Sequence, residues 1–257
     1  HTTITSDGKA TFTNVLFAKN KAGESSYNKM AGLFSQTSSN AGIIRVINNT
    51  FVSNEGDNTV NVSDSGTREM INTIVWHNTN TAHPVLVGTA SYNNIEGGYT
   101  GEGNLNTDPA FVDYVNGDYH LADWSPCIGT GQAGVDMGAF ENALDAPVEH
   151  IVIVSDTLLV SEDSSATVDF RENDLVLNVS TLALSILDSS SHGTIILTGD
   201  TMLTYTPMAD FFGYDTVQYA LSGTTAADTG FVFITVVNED DMPVVVNAIP
   251  DITVNED

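Results

Sequence analysis

Asn72-Thr73-Ile74-Val75 sets one amide side chain ahead of a short β-branched run, and the first half of the chain carries this pattern four times. The other copies are Asn14-Val15-Leu16-Phe17, Asn49-Thr50-Phe51-Val52 and Asn93-Asn94-Ile95-Glu96, at successive Asn intervals of 35, 23 and 21. An apolar residue follows each Asn by two places: Leu16, Phe51, Ile74 and Ile95. Short β-branched runs with no helical periodicity read as strands, and a recurring interval of this size reads as a stacked repeat. Intervals of 21 and 23 suit one coil of a parallel β-helix, in which each strand lies on its equivalent below. The interval of 35 suits a coil with an insertion, and Lys21-Ala22-Gly23-Glu24-Ser25-Ser26-Tyr27-Asn28-Lys29 is the candidate loop. The spacing predicts that Asn14, Asn49, Asn72 and Asn93 occupy equivalent positions and bond to one another from coil to coil.

A second self-match lies further along. Val160-Ser161-Glu162-Asp163 returns as Val254-Asn255-Glu256-Asp257, and Asp145-Ala146-Pro147-Val148 returns as Asp241-Met242-Pro243-Val244. The prolines are 96 positions apart and the Glu-Asp pairs 94 apart, which is one-domain spacing in a tandem array. Between the two copies, alternating apolar residues appear in Ile151–Val154, Leu182–Ile186, Thr194–Leu197 and Phe231–Val236, separated by turn clusters. About seven short strands over such a length predict a β-sandwich. The expected organisation is β-helix coils and their cap over 1–143, a linker over 144–149, a sandwich over 150–240, and the start of a further repeat over 241–257. Pro147 bars helix and central strand from the linker. Since the second copy stops as it begins, the chain is expected to be a piece of a longer modular protein.

The charge balance bounds the partners. Seven Lys and Arg face 33 Asp and Glu, a formal net charge of −26. The excess is concentrated downstream: residues 144–257 hold 1 basic and 19 acidic residues, net −18, against −8 for residues 1–143. Such a surface repels nucleic acid and anionic membranes and attracts divalent cations, whose hard charge suits carboxylate oxygen. The plainer reading is solubility in a salty medium. The single cysteine, Cys127, allows no internal disulfide and reads as a small packing residue. No apolar run approaches the roughly 18 residues of a membrane span.

Two resemblances follow from ordered motifs. Asn72–Asn78 precedes Asn104–Val112, Gly117-Asp118-Tyr119-His120-Leu121, Ser125–Gly131 and Asp136-Met137-Gly138-Ala139-Phe140-Glu141. This order resembles the closing segment of bacterial right-handed parallel β-helix proteins of the choice-of-anchor type, many of which carry sorting or repeat modules after the helix. Further on come Glu162-Asp163, Asn173-Asp174, His192-Gly193-Thr194, Tyr205-Thr206-Pro207, Asp210–Asp215, Val217-Gln218-Tyr219 and Asp240–Pro243. Together they resemble the cadherin-like tandem domains of large bacterial surface proteins. The implied fold is all-β: right-handed parallel β-helix coils followed by a cadherin-like or immunoglobulin-like β-sandwich.

In cadherin-like arrays, acids of a linker and of an early strand in the next domain converge on calcium. The resemblance therefore implies calcium ligands in two groups: Asp145, Glu162 and Asp163 at the first junction, and Glu239, Asp240, Asp241, Glu256 and Asp257 at the second. Solvated surface charge is the alternative. No stretch has the spacing of an EF-hand loop, so such a site would be assembled from separate segments.

A β-helix can also serve a polysaccharide lyase or a glycoside hydrolase. A lyase needs a base and charge neutralisation, for which Arg45 and Arg68, near successive coils, are candidates if they share a face. A hydrolase needs two carboxylates at set separation, for which Glu55, Asp57 and Asp64 are nearest. None of these makes a recognisable catalytic motif. His77 with His83, and His1, form no known metal signature. Trp76, Tyr92, Tyr99, Tyr114 and Tyr119 are either sugar-stacking faces or fillers of the stack. The function expected is that of a non-catalytic, structural or adhesive segment of a secreted or cell-surface bacterial protein, with calcium-stiffened joints. Its expected partners are polysaccharide or another surface component and the neighbouring domains of the same chain, with no nucleic acid and no membrane insertion. The alternatives are the tail of a carbohydrate-active enzyme and a carbohydrate-binding β-helix without turnover.

Overall fold

The computed structural model describes residues 2–4, 9–21, 30–35, 42–56, 58–62, 67–79, 85–86 and 88–240. The chain divides into two compact units, His1–His150 and Ile151–Asp257.

The first unit opens with β1 (Thr2–Ile4), β2 (Lys9–Thr13), β3 (Leu16–Ala18), β4 (Met30–Ser35), β5 (Ile43–Ile47) and β6 (Thr50–Val52). It continues with β7 (Asn58–Val62), β8 (Thr67–Ile71), β9 (Ile74–Trp76), β10 (Val85–Leu86), β11 (Thr89–Ser91) and β12 (Asn94–Ile95). Strands β2, β5, β8 and β11 pair in parallel, as do β3, β6, β9 and β12, and as do β4, β7 and β10. Three parallel sheets visited in rotation make a parallel β-helix, and β1 lies antiparallel on the outer edge of β2. Alternate side chains point inward, giving a core of Ile44, Val46, Phe51, Met70, Val75, Ala90 and Ile95. The Phe17 and Phe51 rings stack one coil apart at 4.5 Å.

The Asn series is not one stack. In register, Leu16 lies opposite Thr50, Thr50 opposite Ile74, and Ile74 opposite Asn94. Counting back two places, Asn14, Asn48, Asn72 and Tyr92 share one column, while Val15, Asn49, Thr73 and Asn93 share the next. The expected series interleaves these two, because Asn occurs at both positions of the corner. The first column turns the corner in the left-handed region, at φ of 55°, 52°, 52° and 56°, where Asn is the best-tolerated residue after glycine. The second column carries the ladder. The backbone N–H groups of Val15, Asn49, Thr73 and Asn93 donate to the side-chain oxygens of Asn49, Thr73, Asn93 and Asn104, at 2.9, 3.4, 2.9 and 2.9 Å. A further ladder, not visible in the intervals chosen, joins Asn20, Asn54 and Asn78 through N–H to Oδ1 bonds of 3.1 and 2.9 Å. The insertion expected over Lys21–Lys29 lies, after Lys21, outside the described residues.

Residues 104–144 do more than close the end of the coil. Asn104 and Leu105 extend the last coil. The chain then forms the hairpin of β13 (Phe111–Asp113) and β14 (Asp118–Leu121). With the loops that follow, it lies along the outer face of the β3-β6-β9-β12 sheet. Leu121, Cys127, Ile128 and Met137 form a second core there with Ile74 and Trp76. Thr50 Oγ1 accepts from Ala139 N–H at 2.9 Å, and Asn72 Oδ1 from Gln132 N–H at 2.6 Å. A Cβ on Gly138, whose φ is +102°, would meet Thr50 Oγ1 and Ile74 Cδ1 at 2.9 Å, so the approach needs glycine. The segment expected as a cap is thus largely a buttress along one flank, because the outward residues Thr50, Ile74 and Asn94 need cover.

Among the described residues the second unit is a sandwich of nine strands: β15 (His150–Val152), β16 (Asp156–Ser161), β17 (Ala166–Asp169), β18 (Leu175–Leu177), β19 (Ala183–Asp188), β20 (Gly193–Thr198), β21 (Met202–Pro207), β22 (Gly213–Ser222) and β23 (Ala227–Val237). One sheet has the order β16-β23-β22-β19 and the other β17-β21-β20, with β15 and β18 as a separate pair. Leu158, Val160, Phe170, Leu203, Tyr205, Val217, Tyr219, Val232 and Ile234 fill the space between. β16 runs parallel to β23, with Ser161 opposite Val237. Residues 162 and 238 therefore leave the sheet at the same pole.

Candidate functional sites

That parallel pairing decides where the acids gather. Glu162 is 3% exposed. Its Oε1 accepts from the Glu239 N–H at 2.6 Å and from Asn238 Nδ2 at 2.8 Å, while Ser161 Oγ donates to Glu239 Oε1 at 2.7 Å. The sequence reading joined Glu162 to the upstream acids; its partners here are residues of the downstream group, because the first long strand of the sandwich ends beside the last. Asp163 and Asp240 are exposed near this pole. Arg171 is the only Lys or Arg in residues 144–257, and its Nη1 is directed to the Asp200 carbonyl at 3.4 Å. Asp145 belongs to the first unit, where it lines a small surface pocket with Asp136, Glu141 and Asn142. Asp241, Glu256 and Asp257 lie outside the described residues. Among the described residues, no three His, Cys, Asp or Glu side chains form a metal-holding group.

A second set of carboxylates, at the pole where β16 begins, was missed from sequence. Val154 N–H donates to Asp174 Oδ1 at 3.0 Å, and Ile153 N–H to Asp228 Oδ2 at 2.8 Å. Tyr219 Oη donates to the Phe170 carbonyl at 2.9 Å and lies 3.4 Å from Asp174 Oδ2. Burial, and then the charge of Asp174, push Asp156 up to about 6. Burial raises Asp174 as well, against its hydrogen bonds from Val154 and Tyr219. Asn173-Asp174 was a visible signal; a lone Asp156 at a strand start reads as an ordinary turn residue.

Asp215 accounts for several of the quoted motifs. It is buried and accepts from Ser191 N–H (3.1 Å), His192 N–H (2.9 Å), Thr216 N–H (2.9 Å) and Tyr205 Oη (3.0 Å). Burial alone would raise its pKa, but these bonds outweigh it and hold the carboxyl below its ordinary value. His192 stacks on Phe211 at 4.3 Å. A Cβ on Gly193 would fall 2.4 Å from the Tyr205 ring. His192-Gly193-Thr194, Tyr205 and Asp215 are therefore one structural lock between loops.

The enzymatic candidates are dispersed. Arg45 lies opposite Glu69 in the next coil and pairs with it at 2.6 Å, on the outward column. Arg68 lies opposite the inward Ile44, is 3% exposed, and donates to the carbonyls of Gly42 and Thr67. The two arginines do not share a face, because their columns alternate across the pleat. Glu55 pairs with Lys21 at 3.0 Å. Asp57, Asp64, His83 and His1 lie outside the described residues. His77 meets the Tyr114 ring at 4.6 Å, and Tyr114 Oη bonds Ser53 Oγ at 2.6 Å. Trp76 and Tyr119 are buried, and Tyr92 donates to Glu102 at 2.8 Å. Burial pushes the Cys127 thiol up to about 12, which suits packing rather than reactivity.

Among curated proteins none matches the chain. The solved structures that resemble part of it include an endo-fucoidan hydrolase from glycoside hydrolase family 107 and a variant of the same enzyme. The variant shares 19% identity over 35% of this chain and 14% of its own, and the enzyme 20% over 34% and 13%, each at a TM-score of 0.28. The matched region thus spans about a seventh of those proteins. No helix among the described residues is long and apolar enough to cross a membrane. The family model described as a bacterial Ig domain matches residues 144–235, and over that stretch the chain is similar to bacterial Ig domains.

Proposed function

We propose that this chain is a structural and adhesive segment of a secreted or cell-surface protein, with calcium stiffening the joint beyond the sandwich. Bacterial Ig domains are typical of surface proteins, and residues 144–235 match their model. The observation that carries the calcium reading is the buried Glu162 carboxylate, held against Glu239 with no second Lys or Arg in its unit besides Arg171. A buried charge calls for a counter-charge. Calcium takes about 6–8 oxygens. Glu162 and Glu239 would supply hard oxygens from the described part of this pole, and Asp240, Asp241, Glu256 and Asp257 are the further candidates. Asp163, exposed near the same pole, is another candidate there. The β-helix would act as a rigid spacer before this joint, and polysaccharide or another surface component would be the partner.

Calorimetric titration of the 257-residue chain tests the reading. Calcium should bind, magnesium should substitute poorly, and Glu162→Gln should weaken calcium by about tenfold or more. A chain that takes up no calcium into the millimolar range, or binds it equally well with Gln at 162, would overturn the calcium reading.

A further inference from the structure

The second unit carries most of the molecule's negative charge, yet among the described residues one broad face of it carries a single acid, Asp188, at its edge opposite Gln218. The outward residues of β16 are Thr157, Leu159 and Ser161, and those of β23 are Ala227, Thr229, Phe231, Phe233, Thr235 and Val237. On β22 they are Tyr214, Thr216, Gln218, Ala220 and Ser222, and on β19 Ala183, Ser185 and Leu187. In register, Leu159 and Tyr214 flank Thr235, and Thr157 and Thr216 flank Phe233. Tyr214 is 82% exposed, Leu159 68% and Phe233 48%, and the rings of Phe231 and Phe233 stack at 5.6 Å. Aromatic rings thus stand on the sheet among hydroxyls and one carboxamide, while the other described acids of the unit lie in loops, at strand ends or, like Asp215, on the buried side. Exposed apolar area of this kind marks an interaction site.

We propose that the outer face of the β16-β23-β22-β19 sheet binds an uncharged glycan chain. The negative faces of the rings attract the polarised C–H groups of a pyranose. Thr157, Thr216, Thr235 and Gln218 offer hydrogen bonds to its hydroxyls from beside the rings. Charge selects this occupant over two others. An acidic polysaccharide would approach a unit of 17 acidic residues and 1 basic, net −16, with no cation on the face to receive it. A second copy would bring a molecule of net −26 against another of the same charge. The site does not depend on calcium at the pole.

The test is binding of the whole chain to insoluble cellulose and chitin and to an array of neutral and acidic glycans, with its sedimentation followed in parallel. Retention by at least one neutral glycan and by no acidic one is expected, unchanged from low to high salt. Joint Tyr214→Ala and Phe233→Ala substitution should weaken it by about tenfold or more. Both side chains are exposed, so the fold should survive, and circular dichroism checks this. Ile196→Ala, at an exposed position of the opposite sheet, should bind as the parent does. The inference is overturned if no neutral glycan is retained, if the double substitution leaves retention unchanged, or if that substitution instead abolishes self-association of the chain.

Discussion

The stacked coils of the first unit and the sandwich bury polar groups by different means. The β-helix meets its corner N–H groups with neutral side chains: Asn49, Thr73, Asn93 and Asn104 each accept from the coil before. The sandwich meets N–H groups of its loops and strand ends with carboxylates: Asp215 accepts from three of them, Glu162 from one, Asp174 from one and Asp228 from two. A stacked repeat presents the same neutral need at each coil, and an amide that both donates and accepts can answer it indefinitely. A sandwich loop presents several converging donors, which a carboxylate answers more strongly. The lesson is that the β-helix ladder should be indifferent to pH and ions, whereas the sandwich should respond to both.

The largest effect that would sharpen this contrast is at Asp215. Asp215→Ala should cost the sandwich roughly 3–5 kcal/mol, because three N–H groups and the Tyr205 hydroxyl lose a charged acceptor. Its folded pKa is lowered, so its contribution should be present above the unfolded value of 3.8 and vanish as pH falls through the folded value. Denaturant melts at pH 7 and in acid read both. Asn93→Ala should come next, at about 2–3 kcal/mol, since Thr73 N–H and the Met70 and Ser91 carbonyls lose partners. That loss should be the same at pH 5 and pH 7.5 (approximate working values spanning the carboxylate range); a pH-dependent loss would break the contrast. Asp156 gives the smallest effect and the opposite sign to Asp215. With its pKa raised to about 6, the folded state holds that proton more tightly than the unfolded chain. Stability should therefore rise as pH falls through 6 towards 3.8. Asp156→Asn should stabilise the neutral protein by up to about 1 kcal/mol and remove that rise.

Much of the architecture was legible. The Asn intervals announced stacked coils, and the alternating apolar runs between Ile151 and Val236 announced a sandwich. The register was not legible, because Asn serves two adjacent corner positions: Asn14 and Asn72 turn the chain, while Asn49 and Asn93 bond along the stack. Spacing alone cannot separate neighbours that differ by one residue. Arg68 looked like a charge available to substrate, yet the pleat sends it inward beside Ile44. Glu162 was legible as a special acid but not its company, since sequence does not reveal that β16 pairs in parallel with a strand some 75 residues on. The aromatic sheet face was invisible for the same reason: its aromatics come from β22 and β23, and only pairing sets Tyr214 and Phe233 on one surface.

The most direct measurement is unfolding followed separately in the two units, with and without calcium. Both tryptophans, Trp76 and Trp124, belong to the first unit, so their fluorescence reports the β-helix alone. Hydrogen exchange resolved by peptide reports β16, β22 and β23 of the sandwich. At about 100 times its dissociation constant, a ligand bound only to the folded state adds about 2.7 kcal/mol. The account predicts that calcium raises protection in the sandwich strands, leaves the tryptophan transition where it was, and loses its effect in Glu162→Gln. Equal stabilisation of both units, or protection unchanged by calcium and chelator, would contradict it.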